Sequence, residues 1–207
     1  MADDPNPKTG GPVLQLLASG LQFWIRQQCE AVESLELQLH GSALALLRGR
    51  LEGVSLVARR VVFSGLAIEM VELHSDAIAV QVGKLLKGQA LQLDHPFQIR
   101  GYAAFTGPGL SRSLCGPNWR SLGDQLADGL LGLAPLQELR IERDRLVLTA
   151  QGMRCDTVPV AVEGGLELRA VDTEHSVRLP ADPNIQIAEA NLEGGMLQLH
   201  GTARVSP

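Results

Sequence analysis

Aromatic residues are scarce in this chain, with four Phe, two Trp and one Tyr among 207 residues. Few rigid ring plates are available to fix a single core packing. Cysteine is scarcer still: Cys29, Cys115 and Cys155 lie far apart and form no CxxC pair. That spacing excludes a zinc knuckle or dithiol redox motif, and the odd number speaks against a disulfide framework. No unbroken apolar run approaches the roughly 18 residues that a membrane-spanning helix needs. The opening residues MADDPNPKTGGP carry neither a basic n-region nor an apolar h-region, so no secretory signal is read there. Basic residues are dispersed and the formal net charge is −5. A nucleic-acid partner, which needs a clustered basic face, is not expected.

Catalytic signatures are missing too. Thr106-Gly107-Pro108-Gly109 sits between a strand and a helix, the order of a phosphate-cradling loop. Arg112, however, stands where GxGxxG has its third glycine, and the flanking pattern is antiparallel, so a plain helix-start turn is the competing reading. Ser111 lacks the second glycine of a nucleophile elbow. The five histidines, 40, 74, 95, 175 and 200, show no metal-ligand spacing, and no metal or cofactor is expected. Cys115 precedes Gly116-Pro117 at a helix break; it reads either as a thiolate at a helix N-terminus or as an inert half-buried thiol. An enzyme would require an unforeseen convergence, such as His95 and Asp94 with a serine.

Leucine is abundant, with 35 copies. A Leu-rich, aromatic-poor interior either is simple filler or can accept an acyl chain. The first 11 residues are polar and rich in Pro and Gly, and read as a disordered tail. From Pro12 to about Val32 the apolar residues fall at helical spacing, among them Leu14, Leu17, Leu21, Trp24 and Ile25. Phe23, Trp24 and Ile25 are consecutive and cannot all face inward, so one or two protrude. A second helical region runs from 107 to 132, interrupted at Gly116-Pro117 and carrying Trp119, Leu122 and Leu126. The rest alternates with a period of two, the mark of half-buried antiparallel strands. Parity switches at Arg59-Arg60 and again at Met70-Val71, which predicts a bulge or bend and strongly curved strands. Hairpins are expected around Gly65, Arg143-Asp144, Gly164-Gly165 and Gly194-Gly195. Leu91 and Leu93 suggest a further strand. LQLHG occurs at 37–41 and at 197–201, and pairing of those strands would make His40 and His200 neighbours.

Residues 46–78, LLRGRLEGVSLVARRVVFSGLAIEMVELHSDAI, and 105–132, FTGPGLSRSLCGPNWRSLGDQLADGLLG, resemble the LmeA-like phospholipid-binding family, in the form seen in cyanobacterial members. The first has a Leu-Arg-Gly turn leading into paired strands. The second has a Ser-Leu pair and a Pro-x-Trp ahead of a leucine helix. The resemblance implies an α+β fold: a strongly curved antiparallel sheet wrapped around one or two long amphipathic helices, as in tubular lipid-binding domains. It implies one domain over 12–207 that binds lipid or another apolar ligand without catalysis. Leu17, Leu21, Trp24, Ile25, Trp119, Leu122 and Leu126 are then the candidate lining of the groove. The location expected is cytoplasmic or peripheral to a membrane. The alternative is an interaction protein with a filled core that docks a partner or membrane through an amphipathic helix.

Overall fold

The structure, a computed structural model, describes residues 12–79 and 95–206. The expected N-terminal tail and the strand at Leu91 and Leu93 lie outside the described residues. The fold is α+β and its strands are antiparallel.

Helix α1, Pro12–Gln28, buries Leu14 and half-buries Leu17, Ala18, Leu21 and Ile25 along one face. It is shorter than its apolar periodicity suggests, because Val32 already belongs to strand β1, Ala31–His40. Leu35, Leu37 and Leu39 of β1 are buried while Glu36 and Gln38 are exposed, the alternation expected of a one-sided strand. A short helix α2, Ala43–Leu47, follows, capped by the Ser42 hydroxyl, which accepts from the Ala45 N–H at 3.1 Å. Strands β2, Arg50–Leu51, and β5, Ile78–Ala79, form a small ladder of their own.

The larger sheet has six strands in the order β1, β3 (Gly53–Phe63), β4 (Leu66–Ser75), β6 (Phe97–Thr106), β13 (Met196–Val205) and β12 (Ile185–Glu193). The two LQLHG segments do not pair. β1 is an edge strand beside β3, whereas β13 lies between β6 and β12.

Both parity switches belong to one crease. Arg60 has φ +47° and is exposed, as is Arg59, while Ala58 and Val61 on either side are buried. The neighbours across are Ser34 and Met70, and the register on both sides of β3 is constant through the crease. No residue is inserted, so of the bulge or bend that the sequence suggests this is a bend. The Arg60 guanidinium grips Glu33 with two nitrogens, and these hydrogen bonds hold the Glu33 carboxyl below the usual carboxylate range.

After β6 the chain forms α3, Gly107–Leu114, and α4, Arg120–Leu131, separated by a turn at 115–119. The expected interruption is there, although the helix resumes at Arg120 rather than at Pro117. The second sheet follows in the order β11 (Ser176–Arg178), β10 (Gly165–Ala170), β9 (Met153–Val162), β8 (Arg145–Ala150), β7 (Glu138–Glu142). The β9–β10 turn is Glu163-Gly164, one residue earlier than expected, with both residues at positive φ.

Three apolar clusters hold these parts together, the smallest formed by Leu35, Ala58 and Val61. Leu14 of α1 packs with Leu37, Leu39, Leu46, Leu51 and Ile78 at one end of the large sheet. At the other end, α3 and α4 lie between the sheets, and Leu126, Leu130, Leu146, Leu148, Phe105 and Leu197 meet. The sheets also touch at an edge, where the Ile187 N–H donates to the Gly164 carbonyl at 2.8 Å.

The contact between α3 and α4 depends on Gly123, where a Cβ would run into the backbone carbonyl of Leu114. Gly123→Ala is expected to destabilise the protein by about 1–3 kcal/mol, the usual cost of overpacking, despite the better helix propensity of Ala. Urea denaturation measures it.

Candidate functional site

Cross-strand register fixes which side chains share a face of the large sheet. One inward row reads Leu37, Leu56, Leu73, Gly101, Gly201, Ile187 across the six strands. The next row reads Leu35, Ala58, Val71, Ala103, Leu199, Ala190. On β6, β13 and β12 a third row holds Ile99, Ala203 and Ile185. The inward face is therefore apolar from edge to edge.

Among the described residues, that face is covered mainly at its ends. α1 seals β1 and β3, and α3 with α4 seals the region of Phe105 and Leu197. In the middle, Val71, Leu73, Ile99, Ile185 and Ile187 belong to none of the three apolar clusters formed by the described residues. They border a trough of about 360 Å³. Its floor is low because β6 and β13 place small residues side by side: Gly101 opposite Gly201, with Ala103 and Ala203 close by. A Cβ on Gly201 would meet the Gln186 carbonyl, so the close approach of β12 there requires glycine.

The trough is bordered mainly by aliphatic and small residues, with Tyr102, His200 and Thr202 also at its border. Three of the candidate reactive groups, Thr106, Ser111 and Cys115, are engaged by backbone groups. Thr106 caps α3 by accepting from the Gly109 N–H at 3.1 Å, which is the helix-start reading of the Gly-rich turn. The Ser111 hydroxyl accepts from the Leu139 N–H at 3.1 Å. The Cys115 thiol points at the carbonyls of Leu136 and Gln137. Burial pushes the Cys155 thiol up, away from thiolate chemistry. His95 is exposed, while Asp94 lies outside the described residues. No group of three metal-ligating side chains exists among the described residues.

The seven residues nominated by the helical patterns fall in two separate places, neither of them the trough lining. Leu17, Leu21 and Ile25 pack from α1 onto the large sheet, while Trp24 is 60% exposed. Phe23 protrudes as well, at 66%. Leu126 is 1% exposed inside the second core, and Leu122 and Trp119 pack against that core. The Trp119 indole N–H donates to the Ser64 carbonyl at 2.8 Å, tying the helix turn to the β3–β4 hairpin. The trough residues sit in strands distant in sequence, and only the small residues within alternating strands could have hinted at them.

Fold and site together define a two-sheet α+β protein with an apolar trough on one sheet. The sequence model of the LmeA-like phospholipid-binding family matches residues 9–202, and the chain belongs to that family. A search of curated proteins and a search of solved structures each returned no match. No helix among the described residues is long and apolar enough to cross a membrane.

Proposed function

We propose that the protein binds a phospholipid noncatalytically by laying one acyl chain in the trough between α1 and the α3–α4 pair. The observation that carries this reading is the set of five aliphatic side chains on the inward face, Val71, Leu73, Ile99, Ile185 and Ile187, that border the trough and lie outside the apolar clusters of the described residues. Membership of a phospholipid-binding family supports it. A trough of about 360 Å³ is at the low end of the roughly 300–1,000 Å³ range of small-ligand sites, which suits one chain rather than two. In this reading the creased sheet with helices at both ends forms the wall of a tubular lipid-binding arrangement over residues 12–207, and β4, β6, β13 and β12 supply the lining. The test is native mass spectrometry of the protein after incubation with phosphatidylcholine vesicles. One lipid per chain is expected, and a chain that stays free of lipid at every vesicle concentration refutes the reading.

A specific observation favours a membrane surface as the place of loading. Leu16, Phe23 and Trp24 of α1 are 77%, 66% and 60% exposed, and the helix has no acidic residue. A helix with Trp and Phe projecting and a mostly uncharged polar flank suits the bilayer interface. The double change Phe23→Ser, Trp24→Ser is expected to weaken vesicle co-sedimentation by tenfold or more, since burying each ring is worth roughly 1.5–3 kcal/mol. Unchanged binding would remove α1 from this role.

A further inference from the structure

The outward face of the large sheet differs in chemistry from the trough behind it. It gathers three of the chain's five histidines and its only tyrosine. His74 lies opposite Arg100, Glu72 opposite Tyr102, and Tyr102 opposite His200. Between them is a basin of about 560 Å³ lined by Glu72, His74, Arg100, Tyr102, Gln198 and His200.

Each nitrogen donor group at this basin is held by a partner of its own. The Ser55 hydroxyl engages His74 Nδ1 at 3.0 Å, which leaves Nε2 for a ligand, and His40 Nε2 engages the same hydroxyl at 2.6 Å. His40 and Ser55 lie outside the basin, as does Asp76, whose carboxylate holds Arg100 Nη1 at 3.2 Å. His200 packs its ring on Tyr102, with centroids 4.8 Å apart and planes tilted by 44°. Side chains fixed from behind lose little freedom when a ligand arrives, which is the mark of a preorganised site.

The geometry points to a second binding site on this face, taking a phosphorylated polyol such as a sugar phosphate. Arg100, His74 and His200 supply N–H donors for the phosphate. Glu72 and Gln198 can accept from or bridge hydroxyls, and the Tyr102–His200 ring pair offers a platform for a sugar ring. The site is built from the opposite side chains of the same strands, with Gly101, Tyr102 and His200 bordering both hollows.

Glucose 6-phosphate, glucose and inorganic phosphate are the probes, titrated into the full chain and followed by amide chemical shifts. Saturable shifts of β4, β6 and β13 signals are expected with glucose 6-phosphate, and weaker ones with either fragment. Arg100→Gln should weaken binding about tenfold or more, the scale of a lost charge-assisted hydrogen bond. Ser55→Ala, outside the basin, should weaken it several-fold through loss of His74 positioning, an effect that simple surface charge would not produce. Ala103→Phe, which fills the trough, should leave it unchanged, so failure here and failure of acyl-chain binding are separable. No saturation at millimolar ligand, or shifts scattered away from the basin, would overturn the site. Equal affinity for inorganic phosphate would overturn the polyol assignment.

Discussion

Ala103→Phe is expected to abolish lipid retention while leaving the protein folded. Ala103 lies between Val71 and Leu199 across the strands, and Gly101 and Gly201 leave space beside it. A phenyl ring there has room to lie in the trough, so the substitution fills space instead of forcing packed groups apart. Removing contact with about six methylenes at roughly 0.8 kcal/mol each would cost 4–5 kcal/mol, or about a thousandfold in retention. Folding stability should hold or rise slightly, since filling an open apolar hollow adds burial. Displacement of a fluorescent fatty acid gives the affinity, and thermal unfolding gives the stability. Gln98→Phe, on the outward face of the same strand, should leave affinity unaltered. If Ala103→Phe binds lipid normally, the acyl chain lies elsewhere.

Leu126→Ala separates core from groove at a residue that sequence patterning nominates as a lipid contact. Leu126 is 1% exposed, in the cluster that joins α4 to both sheets. Truncating a side chain so enclosed removes its burial and leaves a cavity, at about 2–5 kcal/mol. The loss should appear in urea denaturation without lipid. Lipid bound per folded molecule should stay near one, because the trough is lined from β4, β6, β13 and β12. A fall in lipid affinity with little change in stability would return Leu126 to the binding surface.

The sequence reveals local structure well and long-range structure poorly. Strict alternation in 35–39 marks β1, and the adjacent outward pair Arg59-Arg60 marks the crease because two successive exposed residues break a period of two. The crease at Met70, by contrast, is displaced by one residue in a sequence reading, since Glu69 and Met70 are both half-buried and their order gives no contrast. Helix stripes such as Leu122 and Leu126 look the same whether they face a packed core or a ligand. Periodicity reports that a face is apolar, not what covers it. The trough escapes sequence reading for a related reason. Gly101 and Gly201 matter because they sit side by side, and that adjacency follows from β6 pairing with β13, which no local pattern encodes.

That pairing also sets the order in which the protein can be completed during synthesis. β4 precedes β6, and β6 precedes β13 by about ninety residues in the sequence, so the flank of β6 that pairs with β13 has no partner until β13 is made. Through that interval the nascent chain presents an apolar ledge with free amides and carbonyls along its rim, the combination most prone to capture by another chain. β12 emerges just before β13 and can join as a ready-made hairpin through the turn at Gly194-Gly195. Arrival of that hairpin pairs β6 and moves the sheet's edge to β12, where the Ile187 N–H donates to the Gly164 carbonyl of the second sheet.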